Sequence, residues 1–364
     1  SDGASQLRPF VVGTLPEFAE VDPNDDSRKP QMLTGACVVN GKPNPAGDVD
    51  HYGIDLKKGQ TLVASLLANS ILRSPMDGHL QVLSSEGFVL AENNDSHGLD
   101  PQVVYTVPRD GRYVVRVFAF PSMPDSSIRF FGSELCVYRL TVTTSGFADH
   151  AFPLAISLKD PEPVRLVGWN IPDAAKRILP AAKAAAHSLP IIHSEVVTPQ
   201  TIRVEPHPCL TEVEPNNPPK LQEVPDRATI SGYLDPPGDG DMFRFNLKKD
   251  ERRLVRLEFA SLGSALDPVV YIHDAMGKTL HQLRTANTPA DLEVDLAAPA
   301  DGQFRVEIRD LYQHGGRRYF YRLRIVPPEP DFALELAADQ FSLDAGGAVE
   351  RKRVVQGKGV SVRG

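Results

Sequence analysis

The chain of 364 residues carries the same series of short motifs twice. Asp48 and Asp239 are separated by 191 positions, as are Leu56 and Leu247. The first series reads EVDPND, GDVDHYGIDLKKGQ, VPRDGRYVVRV and YRLTV, and the second reads EVEPNN, GDGDMFRFNLKKDE, APADGQFRVEI and YRLRI. A constant offset over such a length predicts two copies of one domain. The copies are too long for solenoid repeats, so we expect two separate domains joined like beads on a string.

The hydrophobic pattern within each copy is typical of β-strands. Short runs rich in β-branched and aromatic residues alternate with turns made of Gly, Pro, Asp and Asn. FRVEIRD and YRLRIV alternate cleanly between apolar and polar residues, which predicts strands with one buried face. The 32 prolines and 27 glycines disfavour long helices. The sequence therefore predicts an all-β fold with two jelly-roll-like β-sandwiches.

A smaller β unit is predicted between the two sandwiches. Its strand pattern and the single Trp169 suggest a small immunoglobulin-like β-sandwich. The segments at the two ends look like parts of further domains of the same kind. The predicted boundaries are 1–17 for the end of a preceding domain or linker, 18–145 for the first sandwich, 146–205 for the immunoglobulin-like unit, 206–328 for the second sandwich and 329–364 for the start of a further β domain or tail.

The overall charge and hydropathy exclude two classes of partner. A net charge of −8 does not favour nucleic acid, because phosphates require basic patches. No apolar run reaches the length needed to span a bilayer, so we expect no membrane insertion.

The three cysteines leave two alternatives open. Cys37 and Cys136 fall near the first and last strands of the first copy, where either a disulfide or two buried free thiols would be consistent with the sequence. Cys209 lies in a predicted linker without an obvious partner. The spacing of cysteines and histidines does not match a zinc site.

The repeated motifs resemble a known family. The order E-x-[ED]-P-N, G-D-x-D-x-[FY], D-G-x-[FY]-x-V and Y-R-L is similar to the bacterial pre-peptidase C-terminal domain, over both copies and about 230 residues in all. The resemblance implies a non-catalytic jelly-roll-like module attached to secreted hydrolases, often peptidases. It extends to the calcium-dependent collagen-binding domains of clostridial collagenases, and the arrangement of units is similar to large secreted planctomycete proteins. It therefore implies a secreted, cell-surface or periplasmic location.

The second copy contains a candidate calcium site. Glu212, Glu214 and Asn216 alternate, so an extended segment places their oxygen-bearing side chains on one face. Calcium prefers six to eight oxygen ligands. Alternate residues of a straight strand lie about 7 Å apart, so one ion requires the segment to curve or to receive further ligands. Asp239 and Asp241 of the GDGD turn are the expected additional ligands.

The first copy contains the corresponding residues. These are Glu20, Asp22, Asn24, Asp48 and Asp50. The alternative interpretation is that these acidic and amide side chains only bond to the backbone of their own turns. The sequence thus predicts calcium as a cofactor and leaves turn chemistry as the alternative.

Two functional hypotheses follow from the sequence. No GxSxG, HExxH, Walker or GxGxxG motif is present, so we expect no catalytic activity in this chain. The first hypothesis is a calcium-stiffened spacer or assembly region of a larger extracellular protein. The second is a region that binds a protein fibre or polysaccharide next to a hydrolase.

Aromatic residues on the predicted strands would help to separate these hypotheses. We expect them to pack in the cores, whereas an exposed subset would form a binding face. They are Tyr105, Tyr113, Phe118 and Phe120 in the first copy and Tyr271, Phe304, Tyr319 and Tyr321 in the second.

Overall fold

The computed structural model confirms the all-β fold class. It describes residues 9–123, 129–180, 187–217, 220–286 and 289–328, and the backbone of two further strands at 331–335 and 354–358. Among these residues, no helix combines the length and apolar character needed to cross a bilayer. The segments predicted to be the end of a preceding domain or linker (1–17) and the start of a further domain or tail (329–364) therefore lie partly outside the described residues.

The first sandwich consists of two five-stranded sheets, ordered β1-β3-β10-β5-β8 and β2-β4-β9-β6-β7. Its strands are β1 (Glu17–Ala19), β2 (Gln31–Met32), β3 (Cys37–Gly41), β4 (Asp50–Leu56), β5 (Thr61–Leu67), β6 (Met76–Ser84), β7 (Val89–Asn93), β8 (Gln102–Thr106), β9 (Gly111–Pro121) and β10 (Tyr138–Thr143). Side chains alternate between the two faces of each strand, so Val115, Val117 and Ala119 of β9 enter the core between the sheets.

The middle unit is built from five short strands and a 3-10 helix at Asp173–Lys176. Its strands are β11 (Phe147–Phe152), β12 (Ala155–Ser157), β13 (Arg165–Trp169), β14 (Ser188–Ile191) and β15 (Gln200–Glu205). They form a two-stranded sheet, β11-β13, and a three-stranded sheet, β12-β15-β14. Trp169 is not part of the small core: the Arg317 guanidinium of the second sandwich lies 4.2 Å from its ring centroid.

The second sandwich has the same strand order as the first, β16-β18-β25-β20-β23 facing β17-β19-β24-β21-β22. A 3-10 helix at Ala260–Leu262 precedes β21. The strands are β16 (Cys209–Thr211), β17 (Gln222–Glu223), β18 (Ala228–Tyr233), β19 (Gly240–Leu247), β20 (Arg252–Glu258), β21 (Pro268–His273), β22 (Thr279–Arg284), β23 (Leu292–Ala297), β24 (Gly302–Asp310) and β25 (Phe320–Val326).

The last two strands, β26 (Asp331–Glu335) and β27 (Val354–Lys358), pair in an antiparallel hairpin. In this hairpin Phe332 lies opposite Gly357.

The antiparallel pair β11-β13 of the middle unit begins with Phe147 opposite Trp169.

The cysteines of the first sandwich are free thiols. Cys37 and Cys136 are buried and not bonded to each other, which corresponds to the free-thiol alternative. The hydroxyl of Ser133 lies 3.2 Å from Cys136 Sγ. Cys209 is also free and partly buried.

Each unit has its own hydrophobic core, but the three units also contact one another. The side chain of Asp149 in the middle unit is 5% exposed, and its carboxylate lies 3.2 Å from His97 Nε2 of the first sandwich and 3.7 Å from Arg318 Nε of the second. Arg318 Nη2 also donates a hydrogen bond to Ser96 O at 2.6 Å. Burial opposes ionisation of Asp149, but the imidazoles of His150 and His97 beside it and the charge of Arg318 hold its pKa below the usual range. This carboxylate therefore joins all three units.

Candidate metal centres

Each acidic segment crosses from one sheet of its sandwich to the other. In the first sandwich the segment runs from β1, in one sheet, to β2, in the facing sheet. It must therefore curve around the edge of the sandwich, which is the condition that a straight strand could not meet. The GDxD turn leads into β4, which pairs with β2. Segment and turn consequently meet at one end of the sandwich.

The first centre brings four of the five predicted residues into one cluster. The carboxylates of Glu20, Asp22, Asp48 and Asp50 each offer an oxygen, and these oxygens lie within 4.8 Å of one another. The oxygens at opposite sides of a calcium ion are about 5 Å apart, since each bond is 2.3–2.6 Å long. The cluster therefore has the dimensions of a single ion site.

In two of these carboxylates, those of Glu20 and Asp50, one oxygen accepts a hydrogen bond and the other oxygen has no partner among the described residues. The backbone N–H of Lys42 donates to Glu20 Oε2 at 2.5 Å, and the hydroxyl of Tyr138 donates to Asp50 Oδ2 at 2.6 Å. Glu20 Oε1 and Asp50 Oδ1 are buried and have no hydrogen-bond partner among the described residues. Buried polar atoms are normally paired, so these oxygens are suited to accept a proton, a water molecule or a cation.

A buried asparagine adds the same signal at both centres. Asn24 and Asn216 are 1% and 0% exposed, and their side-chain oxygen and nitrogen atoms have no hydrogen-bond partner among the described residues. Each follows its acidic pair by two positions. An amide oxygen is a suitable calcium ligand.

The second centre contains three of the predicted carboxylates. Oxygens of Glu212, Glu214 and Asp241 lie within 4.8 Å of one another. Asp241 Oδ1 is buried without a partner, and Asp241 Oδ2 accepts a hydrogen bond from the hydroxyl of Tyr321. Tyr321 also donates to Glu212 Oε2 at 3.2 Å.

Asp239 is not part of this second cluster. Its Oδ2 accepts the N–H of Asp235 at 2.9 Å, and its Oδ1 accepts bonds from Asn217 Nδ2 at 2.8 Å and the N–H of Gly240 at 2.9 Å. For this residue the structure shows the turn chemistry that was the alternative interpretation.

A further acidic residue, not singled out from the sequence, lies beside the first centre. Asp25 occupies the position equivalent to Asn217, so the first sandwich has a carboxyl there where the second has an amide. Burial, the charge of Asp50 and a hydrogen bond from Asp25 raise the pKa of Asp48 to about 6. The difference is visible in the two motifs, because EVDPND ends in an acidic residue and EVEPNN does not.

The clustered carboxyl groups bind protons more tightly than usual. Burial, followed by interaction with Glu20, raises the pKa of Asp50 to about 8. Burial, followed by repulsion from Asp241, raises the pKa of Glu212 to about 10, and burial raises the pKa of Asp241 to about 7. Several like charges this close together cannot all be ionised without a counter-charge. Each centre must hold either protons or a cation.

The closing Y-R-L motif supplies a tyrosine to each centre, a role that the sequence analysis did not assign. Tyr321 was expected to pack in the core and does, but its hydroxyl also orients Asp241 and Glu212. The approach requires a glycine on the neighbouring strand: a Cβ on Gly232 would lie 2.3 Å from Glu212 Oε2 and 2.4 Å from the Tyr321 hydroxyl. Gly41 plays the same part beside Tyr138. The repetition of Y-R-L at the same place in both copies is the sequence feature that could have indicated this role of the tyrosine.

The donor set fits a hard cation. Within the described residues the clusters contain only carboxylates, with a buried amide nearby and no thiolate or imidazole. Oxygen ligands suit calcium and magnesium, and an irregular set of carboxylates and amides suits calcium better than the strict octahedron of magnesium. A bound calcium ion would supply positive charge that neutralises the carboxylates and orders the crossing segment.

Comparison with known proteins gives one family match and several likenesses. Residues 48–119 match the sequence profile of the bacterial pre-peptidase C-terminal domain. A probable subtilase-type serine protease of Deinococcus radiodurans is 28% identical over 101 residues, which is 26% of this chain and 14% of the relative. The chain thus spans only 14% of the length of that relative.

Two solved structures are similar to parts of the chain. The pre-peptidase C-terminal domain of collagenase from Bacillus anthracis is 17% identical, with 30% of this chain and 98% of that chain covered and a TM-score of 0.25. A periplasmic lysozyme inhibitor from Aeromonas hydrophila is 14% identical, with 35% and 96% covered and a TM-score of 0.23. The profile match to the bacterial pre-peptidase C-terminal domain thus falls within the first sandwich, at residues 48–119.

Proposed function

We propose that this chain is a non-catalytic array of modules with two calcium centres, which acts as a spacer or assembly region of a larger secreted or cell-surface protein. The observation that carries the proposal is the pair of acidic clusters in which buried oxygen atoms lack partners. The two clusters occupy the same position in two sandwiches with the same strand order.

The family match supports an accessory role. The pre-peptidase C-terminal domain is a non-catalytic accessory domain that occurs in secreted proteases. An extracellular or periplasmic location agrees with this family. No catalytic sequence motif accompanies it in this chain.

The contacts among the units support the spacer role. The first sandwich, the middle unit and the second sandwich meet at Asp149, and Asn170 Nδ2 of the middle unit donates to Thr61 O of the first sandwich at 2.8 Å. Such contacts restrict the angles between units. A calcium ion that orders each crossing segment would stiffen the array further.

The proposal is tested by thermal unfolding in excess EDTA and then in millimolar calcium. A ligand that binds only the folded state at 100 times its dissociation constant stabilises it by about 2.7 kcal/mol. We expect calcium to raise the melting temperature and magnesium to do so much less. The double variant Glu212→Ala, Asp241→Ala should lose the part of the rise that comes from the second centre.

The matched control is Asp274→Ala, which removes an acid from the hairpin of β21 and β22 in the same sandwich. Calcium should raise the melting temperature of this variant as much as that of the unchanged chain. If calcium has no effect on the unchanged chain, the acidic segments are turns and the calcium part of the proposal fails.

A second candidate function is favoured by an aromatic surface on the first sandwich. Phe120 is 41% exposed and lies 5.8 Å from Phe130 and 5.9 Å from Phe118 between ring centroids, while His79 stacks on Phe118 at 4.6 Å. Phe118 is buried, so Phe120 is the exposed ring of this group, and an exposed ring suits stacking against sugars or peptide. This surface would make the first sandwich a binding region for an extracellular protein fibre or polysaccharide.

The corresponding face of the second sandwich is charged. Glu307 and Arg309 form an ion pair at the positions equivalent to Arg116 and Phe118. Cosedimentation with insoluble collagen, cellulose or chitin tests the candidate. Phe120→Ser should abolish any binding, whereas Leu311→Ser at the equivalent position should leave it unchanged; equal binding by both variants would refute this role for the aromatic surface.

A further inference from the structure

The second centre and the middle unit share two neighbouring strands, β18 and β25. Ser231 lies opposite Arg322, Gly232 opposite Tyr321 and Tyr233 opposite Phe320. Side chains alternate between the faces of a sheet, so the middle pair faces one way and the outer pairs face the other. Tyr321 accordingly bonds to Glu212 and Asp241.

The outward-facing residues of these strands bind the middle unit. The backbone N–H of Leu154 donates to Ser231 Oγ at 2.9 Å, and Arg322 Nη1 donates to Leu154 O at 2.9 Å. Phe320 is 1% exposed because the imidazole of His150 stacks on it with a centroid distance of 4.0 Å. The outer face of the sheet is therefore the interface with the middle unit.

Tyr233 touches both the centre and the interface. Its backbone N–H donates to Glu212 Oε1 at 2.7 Å. Its hydroxyl lies 2.7 Å from His150 Nε2, and its ring centroid lies 4.5 Å from that of Phe152. One residue thus holds a ligand of the second centre with its backbone and the middle unit with its side chain.

The first centre has the same ligand contact, but in the described part of the chain its residue Lys42 makes no contact with the middle unit. The backbone N–H of Lys42 donates to Glu20 Oε2 at 2.5 Å, as that of Tyr233 does to Glu212. The Lys42 ammonium, however, donates to Glu134 at 2.5 Å, and Asn40 Nδ2 donates to Glu17 at 2.8 Å, all within the first sandwich. The chain therefore carries its own internal control.

We propose that cation binding at the second centre fixes the middle unit on the second sandwich through Tyr233, and that the first centre has no such effect on the middle unit. The proposal rests on the calcium function proposed above and names the interface that the ion controls. A bound ion holds the Glu212 carboxylate in one position, which orders the end of β18 and with it the side chains of Ser231 and Tyr233. Such coupling is reciprocal, so docking of the middle unit must raise the calcium affinity of the second centre by the same factor.

The test measures amide hydrogen exchange in β11 and β12 of the full chain, in EDTA and in calcium. Coupling between sites is commonly about 5–150-fold. We expect calcium to slow exchange in these strands about tenfold in the unchanged chain and in Asp50→Asn, which disables the first centre. Asp241→Asn, which disables the second centre, should show no slowing in β11 and β12.

A second variant separates coupling from binding. Tyr233→Lys installs the residue of the first sandwich and keeps the backbone N–H that binds Glu212. In the Asp50→Asn background, calorimetry should still detect calcium at the second centre, with about tenfold lower affinity, and β11 should no longer respond to calcium. The reverse change, Lys42→Tyr, should alter neither quantity at the second centre.

The outcomes distinguish the two proposals. Calcium binding at the second centre without slower exchange in β11 and β12 overturns the coupling and leaves the calcium function intact. Slower exchange that persists in Asp241→Asn or in Tyr233→Lys also overturns it. Absence of calorimetric calcium binding at both centres overturns both proposals.

Discussion

At the scale of single residues, the buried asparagine of each centre is the side chain with the least structural purpose of its own. The amide of Asn216 is fully buried and has no hydrogen-bond partner among the described residues. Burying an unsatisfied polar group costs about 1–3 kcal/mol. A ligand at this position would recover that cost.

Replacing Asn216 by leucine should therefore affect thermal stability differently in EDTA and in calcium. Asn216→Leu keeps the number and branching of the side-chain heavy atoms and removes the unsatisfied amide, so it should leave the melting temperature in EDTA unchanged or higher. The same variant should lose the calcium-dependent rise of the second centre. The measurement is a thermal melt of each variant in both conditions.

Asn246→Leu is the control, since Asn246 is exposed on β19 of the same sandwich. It should leave the calcium response intact. A large loss of stability of Asn216→Leu in EDTA would show that the amide has a structural partner and would contradict the assignment.

At the scale of elements, each centre depends on two neighbouring strands that approach closely at a glycine. Gly232→Ala places a methyl group against Glu212 and Tyr321, so we expect a loss of about 1–3 kcal/mol, which is typical of overpacking. Calcium binding at the second centre should be lost as well. The measurements are the free energy of unfolding in urea and calorimetric titration with calcium.

Gly302→Ala is a suitable comparison, because the added Cβ would meet only the Cβ of Ala275, at 3.0 Å, away from the centre. It should keep calcium binding. If Gly232→Ala binds calcium as the unchanged chain does, the close approach of β18 and β25 is not needed for the site.

The clustering of carboxyl groups from separate elements also predicts a dependence on pH. The pKa values of Asp50, Asp241 and Glu212 are raised to about 8, 7 and 10, whereas carboxyl groups of the unfolded chain titrate near pH 4. The folded state without metal therefore holds more protons than the unfolded state above about pH 4, and its stability falls as pH rises toward the raised values.

In EDTA we expect a lower melting temperature at pH 8 than at pH 5. Calcium replaces these protons, so the calcium-dependent rise should be larger at pH 8 than at pH 5. The control is the double variant Asp50→Asn, Asp241→Asn, melted at both pH values. Its melting temperature in EDTA should depend less on pH. An unchanged melting temperature in EDTA across this interval would contradict the raised pKa values.

At the scale of the whole molecule, one buried carboxylate joins the three units. Asp149 faces His97 of the first sandwich and Arg318 of the second. Removing one partner from a buried ion pair costs about 3–5 kcal/mol. Asp149→Asn should therefore loosen the arrangement, lower the melting temperature and increase the radius of gyration measured by X-ray scattering.

The control is Asp173→Asn, which alters an exposed acid of the same unit whose ion pair with Lys176 is local. It should change neither the scattering nor the melting temperature. Identical scattering curves for Asp149→Asn and the unchanged chain would show that other contacts suffice to hold the units together.

The sequence by itself determined the fold class, the equal spacing of the two acidic sets and most of their members. Alternation of side chains along strands and turn residues at regular intervals are local properties, so they can be read from the order of residues. The sequence did not assign Tyr138 and Tyr321 to the centres, because they come from distant strands. It also did not exclude Asp239, whose oxygens bind its own turn.

Only the tertiary structure decided how the units meet. The ion pairs of Asp149 join positions about 50 and 170 residues away, and no local pattern marks them. The difference between the centres was likewise invisible, because Lys42 and Tyr233 make the same backbone contact and differ only in what lies on the outer face of the sheet. Side-chain contacts between units depend on how complete domains pack, and packing is a property of the folded surfaces and not of the adjacent residues in the chain.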